Sequence, residues 1–306
     1  MKNKPNLTSN DTRKKVREYL AATQAKNTKL AYQNDLAHFL RSGGKIPATP
    51  SSIASYLAIH AQTLSIATLN RRVVAIGRAH TDKGLVSPTQ STLVTNTLRG
   101  IRRINGSAQR RVMPLLKTDM VNITKKLTGL IGLRDKALLL IGFAGAFRRS
   151  ELVAIQVEDI RFVPEGLVIR IRRSKTDQIG LGRNVAIPTV KGRHCPVRAL
   201  KAWLEKSRIK TGTIFRRMNR FDQLMDQGLC APSVALIIKQ RVADADFNPK
   251  LYSGHSLRAG LVTSAAQAGV SSWKIRQQTA HKSDVMLQRY IRDSQLFVNN
   301  AVSQIW

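Results

Sequence analysis

The strongest constraint on this chain is its charge. Fifty-one Lys and Arg against 18 Asp and Glu leave a formal net charge of +33 over 306 residues. The excess is not confined to a tail: residues 1–108 carry 17 basic and four acidic side chains, and the remainder carries 34 and 14. Any fold of this sequence must therefore tolerate a self-repelling surface in both halves. Such a surface is matched by a polyanion, and nucleic acid is the usual one. The 42% of apolar residues is enough to fill cores, which excludes a disordered basic segment.

Membrane and secreted classes fit poorly. The richest apolar run, Ala137 to Ala146, is too short to cross a bilayer. The start, Met1-Lys2-Asn3-Lys4-Pro5, lacks the apolar stretch of a signal peptide. No basic amphipathic helix with bulky apolar anchors stands out, so no membrane partner is expected. Cys195 and Cys230 form neither a disulfide framework nor a zinc-type spacing. The expected protein is soluble, intracellular and globular.

The first hundred residues read as helices. Tyr32, Leu36, Phe39 and Leu40 share a face after a start at Thr28; Ile53, Tyr56, Leu57 and His60 follow Thr49-Pro50, an N-cap with proline at the first helical position. A third stripe, Ile66, Leu69, Val73 and Ile76, is capped by Ser65 and stops near Gly84. Arg71 and Arg78 lie nearly opposite it, either as a solvated face or as a DNA contact. Leu93, Val94, Leu98 and Ile101 suggest a fourth helix. The predicted organisation is a flexible N-terminus (1–7), a helical DNA-binding domain (8–103), a basic linker (104–112), a second domain (113–293) and an apolar tail (294–306). Arg102, Arg103, Arg110 and Arg111, at and around the linker, are candidate phosphate contacts.

The second domain is mixed. Thr118 is expected to cap one helix, and Arg134 to Ala144 to form a buried one. The alternation Leu167 to Arg172 predicts a strand, with Arg183 to Ile187 as its hairpin partner. Helices then resume at Val197, Leu200, Trp203 and Leu204, and again at Leu257 and Leu261 with Gly269 as a stop. The predicted class is mainly α with a small β-sheet or hairpin.

Four features matter jointly. Arg148-Arg149-Ser150-Glu151-Leu152 marks a junction between two helices, and Lys175 follows Arg173-Ser174 in the hairpin loop. His255 and Arg258 are three residues apart, so both can face one anion at a helix start. His281 precedes Tyr290 by nine residues. Singly each reads as ordinary structure: a capped helix, a solvated lysine, a satisfied histidine, a half-buried tyrosine. His38, His60, His80 and His194 read as structural or solvated.

Together, in this order, the set resembles the tyrosine recombinase (phage integrase) family. Ser253-Gly254-His255-Ser256-Leu257-Arg258 and Tyr290-Ile291-Arg292 are most similar to its Cre-like branch. Arg148 with Glu151-Leu152, Lys175, His255 with Arg258, His281 and Tyr290 match the family's motifs in turn. Three positions depart: Ala146 stands where glycine is frequent before the first arginine, Ala259 where many members have a second histidine, and Ala280 where glycine precedes the last histidine. The resemblance implies a helical core-binding domain and a mixed catalytic domain forming a C-shaped clamp on double-stranded DNA. It also implies a site of inverted half-sites, a homotetramer on two such sites, and a tail from Ser294 to Trp306 that packs into a neighbouring subunit or back onto its own.

The expected chemistry needs these residue types. A phosphodiester under attack gathers negative charge on its non-bridging oxygens, and Arg148 and Arg258 offer planar donor forks for it. A phenol of pKa about 10 is ionised to about one part in a thousand at pH 7. Tyr290 therefore needs a base or a strongly positive setting, and His255 is the candidate. By resemblance Lys175 protonates the departing 5′-oxygen and His281 bonds the phosphate. Glu151 would orient the histidine or an arginine. Arg149 and Arg173 are further phosphate contacts or surface. A 3′-phosphotyrosine conserves the bond energy, so neither ATP, metal nor another cofactor is expected. Alternatives are a type IB topoisomerase-like relaxing enzyme and a non-catalytic DNA-binding protein of the same fold.

Overall fold

Helix boundaries in the first unit follow from local capping chemistry. The computed structural model describes residues 10–23, 25–106, 112–174, 177, 179–281, 283–284, 287–288, 290 and 302. The chain divides into Met1–Arg110 and Arg111–Trp306. In the first unit α1 spans Asn10–Ala22, α2 Lys26–Arg41, α3 Pro50–His60, α4 Ile66–Thr81 and α5 Thr92–Asn105. Thr49 and Ser65 cap α3 and α4 by accepting the backbone N–H of Ser52 and Thr68, both at 3.2 Å. These bonds satisfy donors that a helix start otherwise leaves open. Thr28 lies inside the first turn of α2, which starts two residues earlier. Phe39, Ile53, Leu57, Leu69, Ile76 and Val94 bury the apolar stripes in one core.

A polar layer adjoins that core. Arg72 is buried and donates to the Tyr56 hydroxyl and reaches His38, both at 2.8 Å. Asp35 takes two bonds from Arg71, at 2.6 and 3.0 Å. His60 pairs with Ser42, and His80 accepts from the Ala48 N–H and contacts the Ile76 carbonyl. In the second unit His194 meets Thr124.

The second unit begins with α6 (Lys117–Lys125) and α7 (Gly129–Ala144). Thr118 sits within α6 rather than capping it; the Asp119 carboxylate takes the Leu116 N–H instead, at 2.8 Å. A carboxylate in the first turn also meets the positive end of the helix dipole. After α8 (Arg149–Ala154) a three-stranded antiparallel sheet runs in the order β1 (Ile160–Val163), β2 (Gly166–Ile171), β3 (Arg183–Pro188). The alternation in β2 and β3 turns Leu167, Ile169, Val185 and Ile187 into the core. Helix α9 (Pro196–Ser207) covers α7, and β4 (Arg216–Met218) and β5 (Leu224–Gly228) form a separate hairpin.

Helices α10 (Ala231–Ala243), α11 (Ser256–Gln267) and α12 (Ser272–Thr279) complete the described helices of this unit. Gly260 lets α11 approach the chain at Leu115 closely, since a Cβ there would stand 1.8 Å from the Leu115 carbonyl oxygen. The Leu115 N–H donates to the Ser256 carbonyl beside it. No helix among the described residues is long and apolar enough to cross a membrane.

Candidate active site

Two turns built on left-handed alanines set the site. Helix α7 ends with the Phe147 N–H bonded to Gly142 O and the Ala146 N–H to Phe143 O. This closure needs a left-handed residue, and Ala146 supplies it at φ +47°. Its carbonyl then accepts from Arg258 Nη1 at 2.7 Å. Helix α12 also ends on a left-handed alanine, Ala280 at φ +52°, here through a single bond from its N–H to Arg276 O. Both alanines stand where the family frequently has glycine, and the chain keeps the glycine-type conformation with a methyl group attached.

These turns deliver the motif residues to one place. Arg148 is the N-cap of α8, and the Glu151 carboxylate holds it twice, taking its backbone N–H at 3.0 Å and its Nη1 at 2.6 Å. Arg258, on the first turn of α11, is buried; its Nη2 donates to the Thr279 carbonyl at 2.5 Å. Burial lowers its pKa to about 10, with Arg148 and Arg183 adding repulsion and Glu151 opposing them. It remains a cation at pH 7.

His255 precedes α11, and its Nε2 lies 3.0 Å from the Tyr290 hydroxyl. The residue keeps solvent contact, yet desolvation of its ring depresses the pKa, and Arg258, Arg148 and Arg149 depress it further. The imidazole is thus neutral at pH 7 and able to accept a proton. Tyr290 packs beside the small cluster of Val262, Ala266, Ile275 and Leu287.

His281 is buried, and its pKa falls to about 3, first through desolvation and then through Arg258 and Arg148. Its Nδ1 lies 2.7 Å from the Thr279 hydroxyl, which also bonds the Ile275 carbonyl. Thr279 therefore ties the second arginine, through its carbonyl, to the last histidine, through its hydroxyl. Arg183, at the start of β3, also enters this cluster. Its Nη2 lies 3.6 Å from Glu151.

Lys175 lies outside the described residues, as do Arg110, Arg111 and, except for exposed Val302, the tail 294–306. Beside Lys175 in sequence, Ser174 and Asp177 exchange backbone hydrogen bonds. The Asp177 carboxylate accepts the N–H groups of Gly180, Leu181 and Gly182, which lowers its pKa, Gly182 contributing most.

The remaining candidates sit elsewhere. Arg149 and Arg173 are exposed, as are Arg102 and Arg103 on α5. Arg78 is exposed on α4 and pairs with Asp82 at 3.4 Å; Arg71 is half-exposed and clamped by Asp35. Residues that sequence reading missed are Arg183, Thr279 and Asp177, each carrying no motif of its own. No group of three His, Cys, Asp or Glu among the described residues could hold a metal ion.

The convergence of Arg148, Arg258, His255, His281 and Tyr290 agrees with what known proteins share with this sequence. The chain belongs to the phage integrase family, whose model matches residues 115–296. It is a tyrosine recombinase, an enzyme of site-specific DNA recombination. It is 39% identical over 303 residues to an integrase/recombinase XerD homologue of Selenomonas ruminantium, covering 95% of this chain and 89% of that protein. To the recombinase Cre of Escherichia phage P1 it is 24% identical over 276 residues, covering 81% and 77%.

Solved structures share the fold. A lambda integrase dimer bound to a core site matches with TM-score 0.65 at 16% identity, over 91% of this chain and 76% of that one. The Tn1549 transposon integrase with transposon right-end DNA gives 0.65 at 14%, over 93% and 95%.

Proposed function

We propose that the chain recombines DNA by strand cleavage through a 3′-phosphotyrosyl intermediate on Tyr290. The observation that carries this reading is the 3.0 Å contact between the Tyr290 hydroxyl and a neutral His255 Nε2, beside two arginines. His255 takes the phenolic proton as the Tyr290 oxygen attacks phosphorus. The bond to the 5′-oxygen breaks, and Lys175 supplies the proton that oxygen needs. Rejoining reverses the sequence, with a 5′-hydroxyl attacking the phosphotyrosine. The energy of the broken bond stays in the ester, so neither ATP nor a metal ion is called for.

Arg148 and Arg258 stabilise the charge on the non-bridging oxygens. Two donors of Arg258 are committed to carbonyls, which fixes the plane of the fork before DNA arrives. Such preorganisation avoids reorganisation at the moment of reaction. His281 bonds the same phosphate through Nε2. In its neutral form this requires the proton on Nε2, so on DNA binding the Thr279 hydroxyl exchanges its bond to the Ile275 carbonyl for one donated to Nδ1.

The substrate is a duplex recombination site with inverted half-sites, gripped by both basic units as a clamp. Arg149 and Arg173 meet phosphates near the cleavage site; Arg71, Arg78, Arg102, Arg103, Arg110 and Arg111 contribute to binding. Four copies on two sites carry out the exchange in the cytoplasm, the tail 294–306 of each packing on a neighbour.

A covalent-trapping assay on a nicked suicide substrate tests the chemistry. Purified protein in EDTA is expected to give a protein–DNA band on a denaturing gel, and Tyr290→Phe to bind DNA without forming it. A wild-type protein that binds the same DNA and forms no band, or a band that survives in Tyr290→Phe, contradicts the reading.

A further inference from the structure

The cluster contains one more guanidinium than the motifs supply. Arg183 sits at the start of β3 with its side chain mostly buried. Its Nη1 donates to the Gln278 carbonyl at 3.1 Å. The Gln278 amide in turn donates to the carbonyls of Ala144 and Ala186, at 2.9 and 3.2 Å. The end of α7, strand β3 and helix α12 thus meet at this arginine.

The other edge of Arg183 is unusual. Its Nε and Nη2 are buried and have no hydrogen-bond partner among the described residues. The nearest anion among the described residues is Glu151, whose Oε2 lies 3.6 Å from Nη2 and already accepts the Arg148 backbone N–H, while its Oε1 accepts from Arg148 Nη1. Burial lowers the Arg183 pKa; Glu151 opposes that shift and Arg148 adds to it. A buried cation held beside two others, with donors left unused, costs stability. Something other than stability must favour it.

The charges suggest what. Glu151 is needed to hold Arg148, through both its backbone and its side chain, yet a carboxylate paired with Arg148 alone cancels the charge that Arg148 would bring to a phosphate. Arg183 supplies a second cation to the same carboxylate. Arg148, Arg183 and Arg258 against Glu151 leave a surplus of two positive charges, matching the doubly negative phosphorus centre that forms during attack. We propose that Arg183 is a positioning residue for strand cleavage: by sharing the Glu151 carboxylate, it lets Glu151 orient Arg148 without neutralising it. This inference rests on the phosphotyrosine reading above.

A double-mutant cycle on the full chain tests it, with single-turnover cleavage of the suicide substrate at saturating protein as the readout. Arg183→Gln is expected to slow cleavage by about tenfold or more, a coupling typical of contacting charged groups, while DNA affinity stays within about threefold. In a Glu151→Gln background the same substitution is expected to cost about twofold or less, because the charge it offsets is gone. A cross-linking role alone would give equal losses in both backgrounds, and that result overturns the proposal. Arg183→Lys keeps the charge and is expected to cleave within about threefold of wild type. If Arg183→Gln melts below the assay temperature, the lysine variant decides alone, and a tenfold loss in it overturns the proposal. Wild type and Tyr290→Phe run alongside: absence of a Tyr290-dependent band in wild type refutes the phosphotyrosine reading, whereas its presence with additive Arg183 losses refutes only the role of Arg183.

Discussion

Two clusters of buried arginine lie in the Arg111–Trp306 unit, and they are balanced differently. In one, Arg134 and Arg241 each bond a separate oxygen of Asp135, at 2.7–2.9 Å, and Arg241 adds a bond to Asp244 at 2.8 Å. Two cations meet two anions. In the other, Glu151 is the one carboxylate among the described residues that acts on Arg148, Arg183 and Arg258. Arginine burial is common to both; only the second keeps surplus charge. The balanced cluster joins α7 to α10 and serves the fold, whereas the unbalanced one lies beside a tyrosine and two neutral histidines and spends stability on a place for an anion.

This contrast can be broken at either end. Asp135→Asn strips buried Arg134 of its anion and Arg241 of one of its two, and is expected to cost about 3–5 kcal/mol in stability. Chemical denaturation measures it, and cleavage per folded molecule should stay unchanged. Arg258→Lys keeps the charge of the other cluster but loses the fork. It is expected to slow single-turnover cleavage by about 10²–10³ with a much smaller change in denaturation midpoint. Equal stability losses in the two variants would remove the distinction.

The pH dependence sharpens it further. Desolvation first, and then the neighbouring cations Arg258, Arg148 and Arg149, hold His255 below the usual histidine value of 6.5. A group with a lowered pKa keeps its base form as pH falls past 6.5, so cleavage should persist there and decline only at lower pH. Arg149→Gln removes one of the cations that repel a protonated His255 and should move that decline upward, read as a shifted acid limb at saturating protein.

The smallest expected effect concerns the two left-handed alanines. A non-glycine residue in this conformation costs about 1 kcal/mol. Ala280→Gly should therefore raise stability by about 0.5–1 kcal/mol. Ala146 is fully buried, so its glycine variant forfeits a methyl group worth about 0.8 kcal/mol and should be close to neutral. Melting curves of the two variants distinguish these outcomes.

Much of this architecture is legible in the sequence wherever the signal is local. Thr49-Pro50 and Ser65 cap the helices they precede, and alternation locates β2 and β3. Thr28 and Thr118 mislead because a neighbouring start and the Asp119 carboxylate take over the helix ends. Strands β1, β4 and β5 escape notice: they are three to five residues long and carry little buried alternation. For the site, motif spacing finds Arg148, His255, Arg258, His281 and Tyr290. Arg183 and Thr279 are invisible that way, since their significance arises only when β3, α7 and α12 meet. Arg71, read as solvated or DNA-bound, also turns out to be one half of a tight pair with Asp35, a partner 36 residues away in sequence.

The most direct test of surplus charge as the basis of the site uses a suicide substrate whose scissile phosphate is replaced by a neutral methylphosphonate. Removing the charged oxygen removes what Arg258 is there to stabilise. Single-turnover cleavage by wild type and Arg258→Gln should differ far less on the methylphosphonate than on the ordinary phosphodiester. An equal deficit on both substrates would contradict the assignment, and would make Arg258 a structural link between the Ala146 turn and Thr279.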